Sequence, residues 1–251
     1  MTGLEHVAIF AAGMAAGTIN TIVGSGTLIT FPVLLAVGFE PVVANVSNSV
    51  GLFPGSLSGA YGYRRELSGQ RDRLRRLGGA SLLGGITGAL LLLTLPDRAF
   101  KAIVPVLIAL ALVLVVVQPS LTRVIRRGRT AVPLHGGPLL LAAVYGAGVY
   151  GGYFGAAQGV LLMAILGLAL HDDLQRLNAA KNVLAGLVNL VSAVLFVAAA
   201  EVAWRPALLI AAGSVIGGQI GARVGRRLPP AALRGVIVLV GALAIANLLT
   251  D

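Results

Sequence analysis

Two stretches of the chain carry polar side chains where their surroundings are apolar. They are Ala44-Asn45-Val46-Ser47-Asn48-Ser49 and Leu177-Asn178-Ala179-Ala180-Lys181-Asn182. On a helix, Asn45, Asn48 and Ser49 share a face, as do Asn178, Lys181 and Asn182. Amide, hydroxyl and ammonium donors on such faces suit the holding of an anion. Each stretch follows a turn, Gly24-Ser25-Gly26-Thr27 or Ala156-Ala157-Gln158-Gly159, that opens a short apolar segment. A helix starting there presents unpaired N–H groups and about half a positive charge. Two such N-termini brought together make an anion site with no dedicated cation. Ser25, Thr27 and Gln158 add side-chain donors, and Gly24, Gly26 and Gly159 allow close backbone approach. Asn20 and Tyr153, one turn before the breaks, are expected to line the same site. The competing reading of the glycines is helix packing. For Lys181 two readings stay open, counter-ion to a substrate or a snorkelling side chain.

Bond-making chemistry finds little support. No serine–histidine pair, carboxylate dyad or phosphate loop occurs, and Ser25 lacks the spacing of a nucleophile elbow. There are no cysteines, and His6, His135 and His171 are too scattered for a metal site. The expectation is a protein that is not an enzyme and needs no cofactor. Glu40 and Asp173, ahead of the polar stretches, are expected to cap helices. Arg71 to Arg76 read as a solvated face.

The elements that would position these residues follow from composition. Of 251 residues, 57% are hydrophobic and only 11% charged. That excludes an ordinary soluble domain, and continuous apolar runs exclude a β-barrel. The class is an all-α polytopic membrane protein. Apolar segments fall at about 6–23, 26–38, 41–62, 77–95 and 98–118, then at 138–156, 159–170, 174–200, 205–225 and 231–249. Segments 26–38 and 159–170 are too short to span. The net charge of +10 does not imply nucleic acid, because the basic residues sit in short loops between spans. Loops 64–76 and 119–135 are expected to be cytoplasmic, with both termini outside.

The second half repeats the first at an offset of 133 residues. Gly84-Gly85-Ile86-Thr87-Gly88 returns as Gly217-Gly218-Gln219-Ile220-Gly221, Leu95-Pro96 as Leu228-Pro229, and Asn45 as Asn178. Five segments per half is odd, so the halves are expected to insert with opposite topology, as in many secondary transporters. This gives an N-terminal repeat at 1–118, a basic linker at 119–137 and a C-terminal repeat at 138–251. The short segments then enter from opposite faces and bring their turns together near the midplane.

The run from Gly17 through Gly24-Ser25-Gly26-Thr27 to Pro32 resembles the first-repeat signature of the sulfite exporter TauE/SafE family. So do Gly38-Phe39-Glu40-Pro41 and Tyr61 to Arg65. Tyr150-Gly151-Gly152-Tyr153-Phe154-Gly155 and Asn178-Ala179-Ala180-Lys181-Asn182 resemble its second. The resemblance implies a transporter of sulfur-containing anions such as sulfite, sulfonates or thiosulfate in the cell membrane. Where family members often show Gly-Gly and Gly-x-Gly, this chain has Ser25, Thr27 and Ala157-Gln158-Gly159, so substrates need not carry over one by one. The expected partners are a small anion and the lipid bilayer, with a homo-oligomer left open. One half rocking against the other would give alternating access. The alternatives are a channel-like anion pore and a transporter of a non-sulfur organic anion.

Overall fold

The computed structural model describes residues 1–127, 137–224, 235, 237–240 and 242. Nine helices have described bounds: α1 (Gly3–Ile22), α2 (Thr27–Ala36), α3 (Pro41–Gly62), α4 (Arg71–Thr94), α5 (Asp97–Arg127), α6 (Pro138–Tyr153), α7 (Gln158–Ala169), α8 (Leu174–Ala199) and α9 (Trp204–Val224). Residues 235, 237–240 and 242 are helical as well. The expected linker begins as helix, since α5 runs on to Arg127. The stretch 128–136 and most of the expected last segment, with Leu228-Pro229, lie outside the described residues.

The chain is an all-α polytopic membrane protein. Among the described helices, α4, the first part of α5, α8 and α9 are long and apolar enough to cross a bilayer. On α5, Val106, Leu110, Val113 and Val116 are exposed at one helical face, an arrangement suited to lipid. As the segment lengths required, α2 and α7 are too short to span.

Small residues set the packing. In lipid, helices associate through close backbone contact rather than through burial of grease from water. A Cβ placed on Gly13 would stand 2.8 Å from the Cα of Ile210, and one on Gly221 would stand 2.7 Å from the Thr18 carbonyl. These glycines join α1 to α9. Gly84, Gly88 and Gly148 join α4 to α6 in the same way, where a Cβ on Gly148 would meet the Ser81 carbonyl at 2.7 Å.

Hydrogen bonds follow the same reciprocity. Ser81 on α4 donates to the Leu184 carbonyl on α8 at 3.0 Å, and Ser214 on α9 donates to the Gly51 carbonyl on α3, also at 3.0 Å. Donors and acceptors of these two bonds are each related by the 133-residue offset. Asn189 donates to Ser56 at 2.9 Å, and those two residues are themselves 133 apart.

Three sequence expectations need correction. Arg71 opens α4 rather than lying in a loop. Arg73 is not part of a solvated face: it is buried, and its guanidinium holds Asp172 at 2.6 Å. Asp173 caps α8 by accepting from the Gln175 amide at 2.8 Å, but Glu40 makes no side-chain cap on α3. Glu40 instead pairs with Lys101 at the surface.

Candidate functional site

The two breaks in the helical path meet. Gly24 has φ +90°, and Ala157, 133 residues on, has φ +58°. These left-handed residues turn the chain sharply enough for α2 to start after α1 and α7 after α6. The Gly159 amide donates to the Gly24 carbonyl at 3.0 Å. A Cβ on either glycine would overlap the backbone of the other, so only glycine fits this contact. The α2 and α7 N-termini therefore lie side by side within the protein.

The first side-chain donors at these N-termini are buried and free. Ser25 Oγ and Gln158 Nε2 find no hydrogen-bond partner among the described residues, nor do the Tyr153 hydroxyl and Asn45 Oδ1. Buried polar groups without partners are uncommon in proteins and mark places where a ligand or water supplies the missing bond. Tyr153 packs edge-on to Phe100, which fixes its ring.

The polar faces of α3 and α8 flank the turns. Asn45 Nδ2 donates to the Tyr153 carbonyl at 3.0 Å, covering the end of α6. On the other side Asn178 Nδ2 and Asn182 Nδ2 donate to the Thr21 carbonyl at 3.2 and 3.3 Å, covering the end of α1. Asn48 bridges back to α2, reaching Thr27 at 3.3 Å and pairing with Thr30. Ser49 does not join them: its hydroxyl bonds the Asn45 carbonyl of its own helix at 2.9 Å.

Of the two readings of Lys181, snorkelling does not hold, because the residue is 1% exposed. Its Nζ donates to the carbonyls of Asn20 and Thr21 at 3.1 and 3.3 Å. These are last-turn carbonyls of α1, where the helix dipole leaves partial negative charge. The ammonium thus seals the end of a helix from the opposite half. Asn20 enters the site through its main chain in that contact.

A cavity of about 10 Å³ beside the turn contact is lined by Asn20, Thr21, Gly24, Ser56, Gly159, Lys181, Asn182 and Ala185; Ser25, Asn45, Tyr153 and Gln158 do not line it. Its volume is about the room one water needs, so the described conformation is closed over the site. Sequence reasoning missed Thr21, Thr30, Ser56 and Asn189. Ser56 and Asn189 were open to discovery, since both are polar and the repeat aligns them.

The two ends of the bundle differ in charge. At one end a hollow of about 420 Å³ is edged by Glu40, Asp97, Glu201 and Lys101. At the other, Arg64, Arg65, Arg71, Arg75 and Arg76 gather about the start of α4, with Arg73 and Arg176 both on Asp172. Asp172 is partly buried, which alone would raise its pKa. The hydrogen bonds from Arg73 and the Asp173 amide and the charges of Arg176 and Arg73 outweigh that and hold the carboxyl below its ordinary value.

Comparison with known proteins adds the family. Residues 9–248 match the family described as Sulfite exporter TauE/SafE. The chain belongs to that family. Among relatives of this TauE/SafE protein, the "Probable membrane transporter protein YfcA" of Escherichia coli (strain K12) is 28% identical over 244 residues, covering 97% of this chain and 89% of the relative. The "Probable membrane transporter protein" of Haemophilus influenzae (strain ATCC 51907 / DSM 11121 / KW20 / Rd) is 29% identical over 251 residues, covering 99% and 96%. No solved structure gives a significant match. The TauE/SafE protein is thus a membrane transporter with a bilayer environment and a small-molecule substrate.

Proposed function

We propose that this chain is a secondary transporter of small anions, with sulfite and sulfonates as the first candidates. The anion binds where the α2 and α7 N-termini meet. The observation that carries this reading is the Gly24–Gly159 contact, which sets two helix N-termini beside a buried ammonium and free donors on Ser25 and Gln158. Helix N-termini favour negative charge, and the burial of the site strengthens that preference. The binding set is Asn20, Gly24, Ser25, Gly26, Thr27, Asn45, Asn48, Tyr153, Gln158, Gly159, Asn178, Lys181 and Asn182. Ser49, turned back on its own helix, supports α3 instead.

The halves are related as inverted repeats, each with a short broken helix, in a multi-pass cell-membrane protein with both termini outside. The reciprocal Ser81 and Ser214 bonds support that symmetry. Access alternates because the closed cavity has room for no sulfur oxyanion until the surrounding helices part. The arginine-rich end attracts anions and the carboxylate-edged end repels them, which favours loading from the arginine side. The coarser reading, membrane transport and not catalysis, rests on the family.

The test is flux in proteoliposomes of purified protein, using labelled sulfite, sulfoacetate and thiosulfate in both directions. Saturable movement of at least one is expected. No movement of these or of other small anions would refute the proposal.

A further inference from the structure

We infer that the site takes singly charged anions and rejects doubly charged ones, an inference that rests on the anion-site reading above. Among the described residues the buried charged side chains are Arg73 and Lys181. Arg73 is matched by Asp172, well away from the breaks. Among the described residues Lys181 makes no ion pair and no carboxylate is buried. An ammonium has three donors, and two are held by the Asn20 and Thr21 carbonyls. The cavity it lines also touches both glycines of the turn contact. One ammonium charge in a water-poor site is neutralised by one negative charge. A second would remain buried without a partner, which is strongly unfavourable. The helix N-termini spread partial charge over the ligand but supply no second full cation.

Methanesulfonate and sulfate test this, since both present oxygens on tetrahedral sulfur and differ in charge. Competition against labelled methanesulfonate binding to purified wild-type protein is the measurement, with unlabelled methanesulfonate and sulfate as the competitors. Methanesulfonate is expected to compete at least tenfold better than sulfate. Lys181→Gln, which keeps a donor for the α1 carbonyls, is expected to lose that preference while its melting temperature stays within a few degrees of wild type. Lys181→Arg is expected to restore it. Equal competition by the two anions, or an undiminished preference in Lys181→Gln, overturns the charge rule and leaves the transport reading standing. Failure of every anion to bind sinks both.

A separate set of observations concerns what moves. The structure assigns the rigid units of transport to α1–α2–α3 with α9, and to α6–α7–α8 with α4, so that each unit borrows its fourth helix from the other half. Glycine seams with backbone against backbone join α1 to α9 and α4 to α6. Ser214 ties α9 to α3, and Ser81 ties α4 to α8. Arg73 on α4 is tied to Asp172 beside α8. Between the units run the Gly24–Gly159 contact and the side-chain bonds of Asn45, Asn178, Lys181 and Asn189. Close-packed seams cannot slide without overlap, whereas a polar interface can exchange its bonds for those to water or ligand.

The chain has no cysteine, so pairs can be introduced directly. Gln219 on α9 bonds Ser58 on α3 at 2.9 Å, and the hydroxyls of Thr87 on α4 and Tyr145 on α6 lie 3.1 Å apart. Each pair joins the two sequence halves but lies inside one unit. Bridging Ser58→Cys to Gln219→Cys, and Thr87→Cys to Tyr145→Cys, with a short thiol-reactive linker is expected to leave flux within twofold of the unbridged variants. Spin labels at the same pairs are expected to keep their separation when sulfite is added, a readout independent of activity. Loss of flux on bridging, or separations that shift by several ångströms, overturns the assignment.

Discussion

The Gly159 amide donates to the Gly24 carbonyl at 3.0 Å, joining the break after α1 to the break after α6. Neither residue can carry a side chain without overlapping the other. The contact leaves the α2 and α7 N-termini adjacent and fixes how closely the flanking donors approach one another. Glycine is needed here for proximity, and at Gly24 for its left-handed backbone as well.

Gly159→Ala therefore pushes the two turns apart. Overpacking of this kind costs about 1–3 kcal/mol. The melting temperature in detergent is expected to fall by several degrees and flux to drop at least tenfold. Wild-type flux in a folded Gly159→Ala protein would remove the contact from the mechanism.

Ser56 and Asn189, aligned by the repeat and bonded at 2.9 Å, should be energetically coupled. Comparing Ser56→Ala, Asn189→Ala and the double variant by thermal unfolding is expected to give a coupling of about 0.5–1.5 kcal/mol. Strict additivity would mean that the bond contributes nothing to holding α3 against α8.

Asp172 predicts a dependence on acid. Its folded-state pKa lies below the ordinary carboxylate value. Its contribution to stability is thus complete above the unfolded pKa, about 3.9 for Asp, and is lost as pH falls through the folded value. Asp172→Asn removes the carboxylate that pairs with buried Arg73, which keeps its hydrogen bond to Gln70. Breaking a buried pair costs about 3–5 kcal/mol and a surface pair under about 1, so about 2 kcal/mol is expected for this partly exposed one. The variant's melting temperature should be lower than wild type at pH 7 and converge on it as pH falls below the folded-state pKa of Asp172. A constant difference across that range would contradict the assignment.

Two glycines of α4 should respond in opposite directions to alanine. A Cβ on Gly84 would overlap the Tyr145 carbonyl, whereas one on exposed Gly79 meets nothing within 4 Å. Gly79→Ala is expected to be neutral or stabilising by about 0.5–1 kcal/mol through helix propensity. Gly84→Ala is expected to destabilise by about 1–3 kcal/mol. Thermal unfolding of the two variants side by side decides the matter, and equal effects would argue against the seam.

Local pattern made much of this legible. The short segments expected at 26–38 and 159–170 are α2 and α7, because glycine turns and truncated apolar runs are local signals. Asp173 showed itself as a cap for the same reason. What escaped was decided by distant partners. Arg73 reads as one arginine in a basic run until Asp172, far along the chain, is placed against it. Glu40 sits at a cap position but is drawn off by Lys101. The surroundings of Lys181 are carbonyls of α1, about 160 residues earlier, and no window of sequence around the lysine holds them.

The seam between α1 and α9 also bears on biosynthesis. Gly13, Gly17, Gly213 and Gly217 meet only after nearly the whole polypeptide has left the ribosome. Until then the opening helix must wait in the membrane with its bare glycine stripe uncovered, and such long-range closures are slow and prone to trapping. A nascent chain cut short before α9 would leave that stripe exposed to whatever other small-residue helix it meets.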